Sequence, residues 1–192
     1  MPNGVKAKKE TLNFQGILYG QEDKHGFDLT EKSLSINVRS QLSSSSKNFD
    51  TLYERTFAEA LNLHLRCPKM VLGEFYMIAV NEYDSTAANN KQIKYKNVKG
   101  VAKHIEKYLL SFAAVNNRAT TTGDHFKYER VCLLIVDFSQ KVPKVYNTDA
   151  ELKQDNLLLA NSIATIQNLS FPNFISDLLK IYSTRFGTGK FK

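Results

Sequence analysis

The hydrophobic pattern of this 192-residue chain predicts an α/β protein with a mixed central β-sheet flanked by helices. Three observations carry that expectation. The runs KMVLGEFYMIAV (69–80) and RVCLLIVDF (130–138) are of strand length and nearly continuously apolar, as strands covered on both faces are. KGVAKHIEKYLLSFAAV (99–115) instead sets Val101, Ile105, Tyr108 and Phe112 on one helical face. SLSINVRSQ (33–41) alternates, so Leu34, Ile36 and Val38 face a core while Ser35, Asn37, Arg39 and Gln41 share the other face.

Taken in order, LNFQGILYG (12–20) reads as a first strand, with GFDLT and SLSINVRSQ as two more, adjacent to each other. LSSSSKN (42–48) is a polar loop. TLYERTFAEALNLHLR (51–66) is a helix, with Thr51 and Glu54 at capping-box spacing and Pro68 as its stop. After the strand at 69–80, NEYDSTAANNKQ is a loop, the helix at 99–115 follows, and NNRATTTGDH (116–125) is turn-rich. Beyond the strand at 130–138, Thr148 and Glu151 repeat the capping-box spacing before a short helix near 149–159. FPNFISDLLKIYSTRFG (171–187) is a final helix, with Pro172 near its start and Gly187 near its end. No linker divides residues 1–192, which are expected to form one domain.

Composition narrows the function classes. With 42% hydrophobic residues, 12 Phe and 9 Tyr, the chain can fill a core and is not expected to be disordered. It has no apolar run of about 18 residues that would span a membrane, and MPNGVKAKKETL lacks the apolar stretch of a secretory signal. Cys67 and Cys132 lie far apart, and Cys132 within an apolar strand reads as a core thiol, so a reducing cytoplasm is the expected setting. The net charge of +7 suits a phosphate-bearing partner without specifying one. His25, His64, His104 and His125 have no metal-ligand spacing, and His64 is placed on a helix flank. GTGKFK (187–192) lacks the spacing and surroundings of a phosphate-binding loop.

The chemistry concentrates in residues 26–41, where an acid, Asp28, precedes a strand with one polar face. The order of residues and elements there resembles the PD-(D/E)xK nuclease superfamily, the fold of most type II restriction endonucleases. In that family an Asp ends one strand, the (D/E)xK triplet sits on the next, and a helix and a core strand follow. GFD (26–28) matches the Asp element and Asn37-Val38-Arg39 stands in the place of the triplet, with the resemblance covering residues 12–80. It implies a restriction endonuclease-like core and Mg²⁺-dependent hydrolysis of phosphodiester bonds in double-stranded DNA, in many such enzymes by a homodimer. It also implies roles for four residues: Asp28 as a metal ligand, Asn37 at the second acidic position, Arg39 in the lysine place and Gln41 extending the polar face.

The departures from the family pattern have definite chemical consequences. Asn37 offers a metal only a neutral carbonyl oxygen, and Arg39 stays protonated, so it can hold a phosphate but cannot act as a base. A second carboxylate must therefore come from elsewhere. Glu54 and Glu59 on the following helix are candidates, although Glu54 fits a cap and Glu59 an ion pair with Arg55. Glu74 is a lone acid in an apolar strand, sharing parity with Leu72 and Tyr76. It is expected to face a helix, either paired with a basic residue or used in a site. Glu10 and Glu22 precede the Asp and are weaker candidates. Asp28, Glu54 and Glu74 form the expected metal-binding set.

Positive charge gathers at Lys47, Lys69, Lys91, Lys94, Lys96, Lys99, Lys103 and Lys107, beside polar loops that include Arg118. Lys47, Lys94, Lys96 and Arg118 are the expected DNA contacts. Two other functions fit the same residues. One is a DNA-binding relative of the nuclease fold that has lost catalysis. The other is a protein-interaction domain, for which Asp28 and Arg39 would form a plain salt bridge.

Overall fold

The computed structural model describes residues 6–13, 19–43, 45–96 and 100–187, with the side chains of 45–47 outside that description. In chain order the elements are β1 (Glu10–Thr11), β2 (Glu22–Asp23), α1 (Phe27–Glu31), β3 (Leu34–Gln41), α2 (Ser45–Arg66) and β4 (Val71–Ala79). Then come α3 (Ser85–Asn89), α4 (Val101–Ala114), β5 (Arg130–Asp137), β6 (Lys144–Tyr146), α5 (Asp149–Gln154), a 3₁₀ turn (Phe171–Asn173) and α6 (Phe174–Phe186). The expected α/β class holds: a four-stranded mixed sheet is flanked by helices. Its order is β3-β4-β5-β6, with the first two pairs parallel and the last antiparallel.

Strand alternation sorts the sheet into two cores. Leu72, Tyr76 and Ile78 of β4 and Val131, Leu133 and Ile135 of β5 point to one face. There they meet Ala60 of α2, Ile105, Tyr108, Leu109 and Phe112 of α4, and Leu152 of α5. Val71 of β4 and Cys132 of β5 point to the other face and pack against Phe174, Leu178 and Tyr182 of α6, with Leu34 and Ile36 of β3 alongside. Gly73 lets α6 approach closely, since a Cβ there would lie 2.7 Å from Leu178 Cδ1 and 3.0 Å from Phe174 Cζ. Val38, expected in the core, is 72% exposed on the edge strand, whereas Leu34 and Ile36 of the same face pack on the α6 core.

Several expected elements take another form. GFDLT is helical, not a strand: Glu10 Oε2 accepts a hydrogen bond from Phe27 N (3.1 Å) and so supplies a cap from 17 residues away. Gly26 precedes the helix with φ 73°, and a Cβ there would lie 2.0 Å from Lys8 O. Asp28 is thus on α1, and no hairpin joins it to β3. Of the strand expected at 12–20, residues 14–18 lie outside the described residues, and the flanking ladder pairs Glu10 with Asp23 and Thr11 with Glu22. Helix α2 starts at Ser45, which puts Thr51 and Glu54 in its interior and leaves them no capping role. The Thr148–Glu151 capping box does form. The loop expected after β4 contains the short helix α3, capped by Asp84, and β6 adds a strand the apolar pattern did not mark.

Candidate functional site

Asn37, Arg39 and Gln41 of β3 lie on the face of the sheet that α2 and α4 cover. Parallel register sets Asn37 beside Glu74, Arg39 beside Tyr76 and Gln41 beside Ile78, and α2 lies across them with Thr56 and Glu59. Arg39 gathers this group. Its Nη1 donates to Glu74 Oε1 (2.7 Å) and Thr56 Oγ1 (2.9 Å), and its Nη2 pairs with Glu59 Oε2. Thr56 Oγ1 donates onward to Leu52 O (2.9 Å). The Tyr128 hydroxyl donates to Thr56 O (2.9 Å) and accepts from Asn37 Nδ2 (3.5 Å). Two carboxylates, one guanidinium, an amide and a buried phenol therefore share one cluster.

Depth grades the cluster. The Glu74 side chain is 0% exposed, Arg39 23% and Glu59 39%, so Arg39 and Glu59 form the solvent-facing side. Burial pushes the Glu74 carboxyl up to about 7, against the opposing pull of the Arg39 charge and the Asn37 amide. Burial disfavours the Arg39 cation, but Glu74 and Glu59 outweigh that effect and hold its pKa above the ordinary value. Glu74 Oε2 is buried without a hydrogen-bond partner. A carboxyl that titrates near neutrality, with one uncommitted oxygen, can accept or give a proton at physiological pH.

Of the residues expected at a site, the fold brings together Asn37, Arg39, Glu59 and Glu74. Gln41 is buried, and its Oε1 accepts hydrogen bonds from the Tyr76 and Tyr108 hydroxyls (2.8 Å each), which ties β3 to α4. Asp28 is exposed on α1 and Glu54 is exposed on α2, both apart from the Arg39 cluster. Arg39 does not pair with Asp28, and Glu59 pairs with Arg39 instead of Arg55. Among the described residues, no group of three or more His, Cys, Asp or Glu could hold a metal ion.

The expected DNA contacts are dispersed. Lys94 is exposed, and Lys96 is half-buried against Glu82 (3.5 Å). The Lys47 side chain, Lys99 and the tail 188–192 lie outside the described residues. Arg118 is 4% exposed and faces inward: it donates to Pro68 O (2.8 Å), Thr121 O (2.9 Å), Gly123 O (3.2 Å) and Glu129 Oε1 (3.3 Å). His64, expected on a flank, is fully buried against Glu129.

Sequence reasoning missed Glu129, Thr56 and Tyr128. Glu129 is a buried hub: it accepts from Leu72 N (2.7 Å) and pairs with Arg185 (2.7 Å), Arg118 and His64. A lone acid bordering the apolar run of β5 was the available signal, of the same kind that marked Glu74. Thr56 and Tyr128 carried no signal, because their roles depend on α2 and the start of β5 meeting at β3.

No family model, curated protein or solved structure matches this chain.

Proposed function

We propose that the protein is a Mg²⁺-dependent endonuclease that hydrolyses phosphodiester bonds in double-stranded DNA, with its site at the Arg39 cluster. The observation that carries this reading is the convergence of Glu59 and Glu74 on Arg39. It provides two carboxylates where the triplet of the resemblance has only Asn37. In this reading β3, α2 and β4 correspond to the triplet strand, helix and core strand of a restriction endonuclease-like core. The setting is the cytoplasm, and a two-fold pair of chains would match a palindromic site.

The donor set fits a hard cation. Glu59, Glu74 with its unbonded Oε2, and the Asn37 amide are oxygen donors, and Mg²⁺ is commonly held by one or two carboxylates plus water and phosphate oxygens. When bound, such a cation polarises the phosphate and lowers the pKa of a water. Arg39 binds a phosphate oxygen pair and balances developing charge. Glu74 would hold the cation through its unbonded Oε2, beside the Asn37 amide. Thr56 and Tyr128 fix Arg39 and Asn37 from behind.

The test is cleavage of plasmid DNA in Mg²⁺ and in Mn²⁺ by the wild type, Glu59→Gln, Glu74→Gln and Asp28→Ala. Glu74→Gln, which removes a carboxylate from the cation's donor set, should lower the rate by about 100-fold or more, and Asp28→Ala should leave it near wild type. Loss of cleavage in Asp28→Ala but not in Glu74→Gln would return the site to the Asp28 element and make the Glu59–Arg39–Glu74 group structural. A second reading, a DNA-binding relative without catalysis, draws on the commitment of both Arg39 Nη atoms to carboxylates. It predicts salt-sensitive, metal-independent binding and no cleavage.

A further inference from the structure

We propose that Arg39 is a latch on the Glu59–Glu74 pair: its guanidinium passes to a backbone phosphate of duplex DNA, and only in that exchange do the carboxylates open to a divalent cation. The identity of the anion rests on the function proposed above; the latch rests on geometry. One guanidinium holds both carboxylates, so a cation placed between them would face a like charge. Arg39 cannot lose its proton to relieve that repulsion, and it must therefore move. Its place on the solvent-facing side lets it do so. Thr56 Oγ1 and the partly exposed Glu59 are its contacts besides Glu74, and its side chain reaches solvent.

The exchange has to be concerted. Withdrawing Arg39 alone would leave Glu74, fully buried and with one oxygen already unpartnered, without the donor that serves its other oxygen. Admitting a cation alone would set two positive charges side by side. Phosphate and cation arriving together satisfy every group: the guanidinium gains an anion and the carboxylates keep a positive partner. The groups facing Glu74 are Arg39 and Asn37 from β3, Glu59 from α2, Tyr76 on its own strand and Tyr128 preceding β5. Of these, only Arg39 is cationic. The arrangement therefore predicts positive coupling between metal and duplex, equal in both directions.

The experiment titrates Mn²⁺ by electron paramagnetic resonance into the wild-type protein, alone and with a short DNA duplex. Mn²⁺ held by the duplex itself is measured with Glu59→Gln/Glu74→Gln protein in the same mixture. The duplex should tighten Mn²⁺ binding about tenfold or more, and Mn²⁺ should tighten duplex binding by the same factor. Arg39→Met, checked for folding by circular dichroism, should bind Mn²⁺ without duplex more tightly than wild type does. Equal Mn²⁺ affinity with and without duplex overturns the latch, as does no gain in folded Arg39→Met. The wild-type comparison decides the matter if that variant does not fold. Coupling without DNA cleavage would sink the nuclease reading and keep the latch, and cleavage without coupling would do the reverse.

Discussion

Replacing Glu74 by Gln should remove a pH dependence of stability whose size follows from the site. Burial lifts the Glu74 carboxyl from its ordinary 4.5 to about 7, so the folded protein holds this proton where the unfolded chain releases it. A folded-state value above the unfolded one favours the fold at low pH. That contribution is complete below pH 4.5, falls as pH rises toward about 7 and stays lost above it. The interval corresponds to about 3 kcal/mol, a large part of a typical folding free energy. Urea unfolding from pH 5 to pH 8 on wild type and Glu74→Gln measures it, since Gln keeps the shape but cannot titrate. The wild type should lose about 2 to 3 kcal/mol relative to the variant across that range. Glu129 works in the opposite sense. Its burial is outweighed by the close His64 side chain, by the hydrogen bond from Leu72 N and by nearby positive charge, which hold its carboxyl below 4.5. Its contribution is lost only as pH falls further, and the comparison with the variant cancels it. Parallel pH profiles for the two proteins would refute the reasoning.

Two further perturbations test the frame around the site. Glu129→Gln leaves the fully buried Arg118 guanidinium without its anion and should cost about 3 to 5 kcal/mol in urea unfolding at pH 7; a loss below about 1 kcal/mol would show that the backbone carbonyls alone satisfy Arg118. Gly73→Ala puts a Cβ 2.7 Å from Leu178 Cδ1 and 3.3 Å from Ile36 Cγ1. Overpacking of that kind costs about 1 to 3 kcal/mol, so Tm should drop by about 5 °C, and an unchanged Tm would mean that α6 shifts freely.

The fold was legible where burial alone decides it. β4 and β5 are covered by helices on both faces, so their apolar runs showed through, and α4 displayed its buried stripe of Ile105, Tyr108 and Phe112. The capping box at Thr148 is local chemistry, and it formed as expected. GFDLT misled because its helix is capped by the distant Glu10, and Thr51 because α2 already begins at Ser45, ahead of the apparent cap. β6 is three residues long and pairs only at its position beside β5, too short for alternation to mark it.

The sequence by itself determined which side chains of β3 share a face, because alternation along a strand is fixed by backbone geometry, and it marked Glu74 as an acid that needed a partner. What lay opposite that face was decided by tertiary structure. Parallel register put Glu74 beside Asn37, and α2 brought Thr56 and Glu59 down onto Arg39, from 17 and 20 residues away in the chain. The same packing left Asp28 outside the cluster and turned Arg118 and His64 inward to Glu129. An ion pair forms where side chains converge in space, and single-chain spacing carries no record of that convergence beyond the nearest turns of a helix or strand.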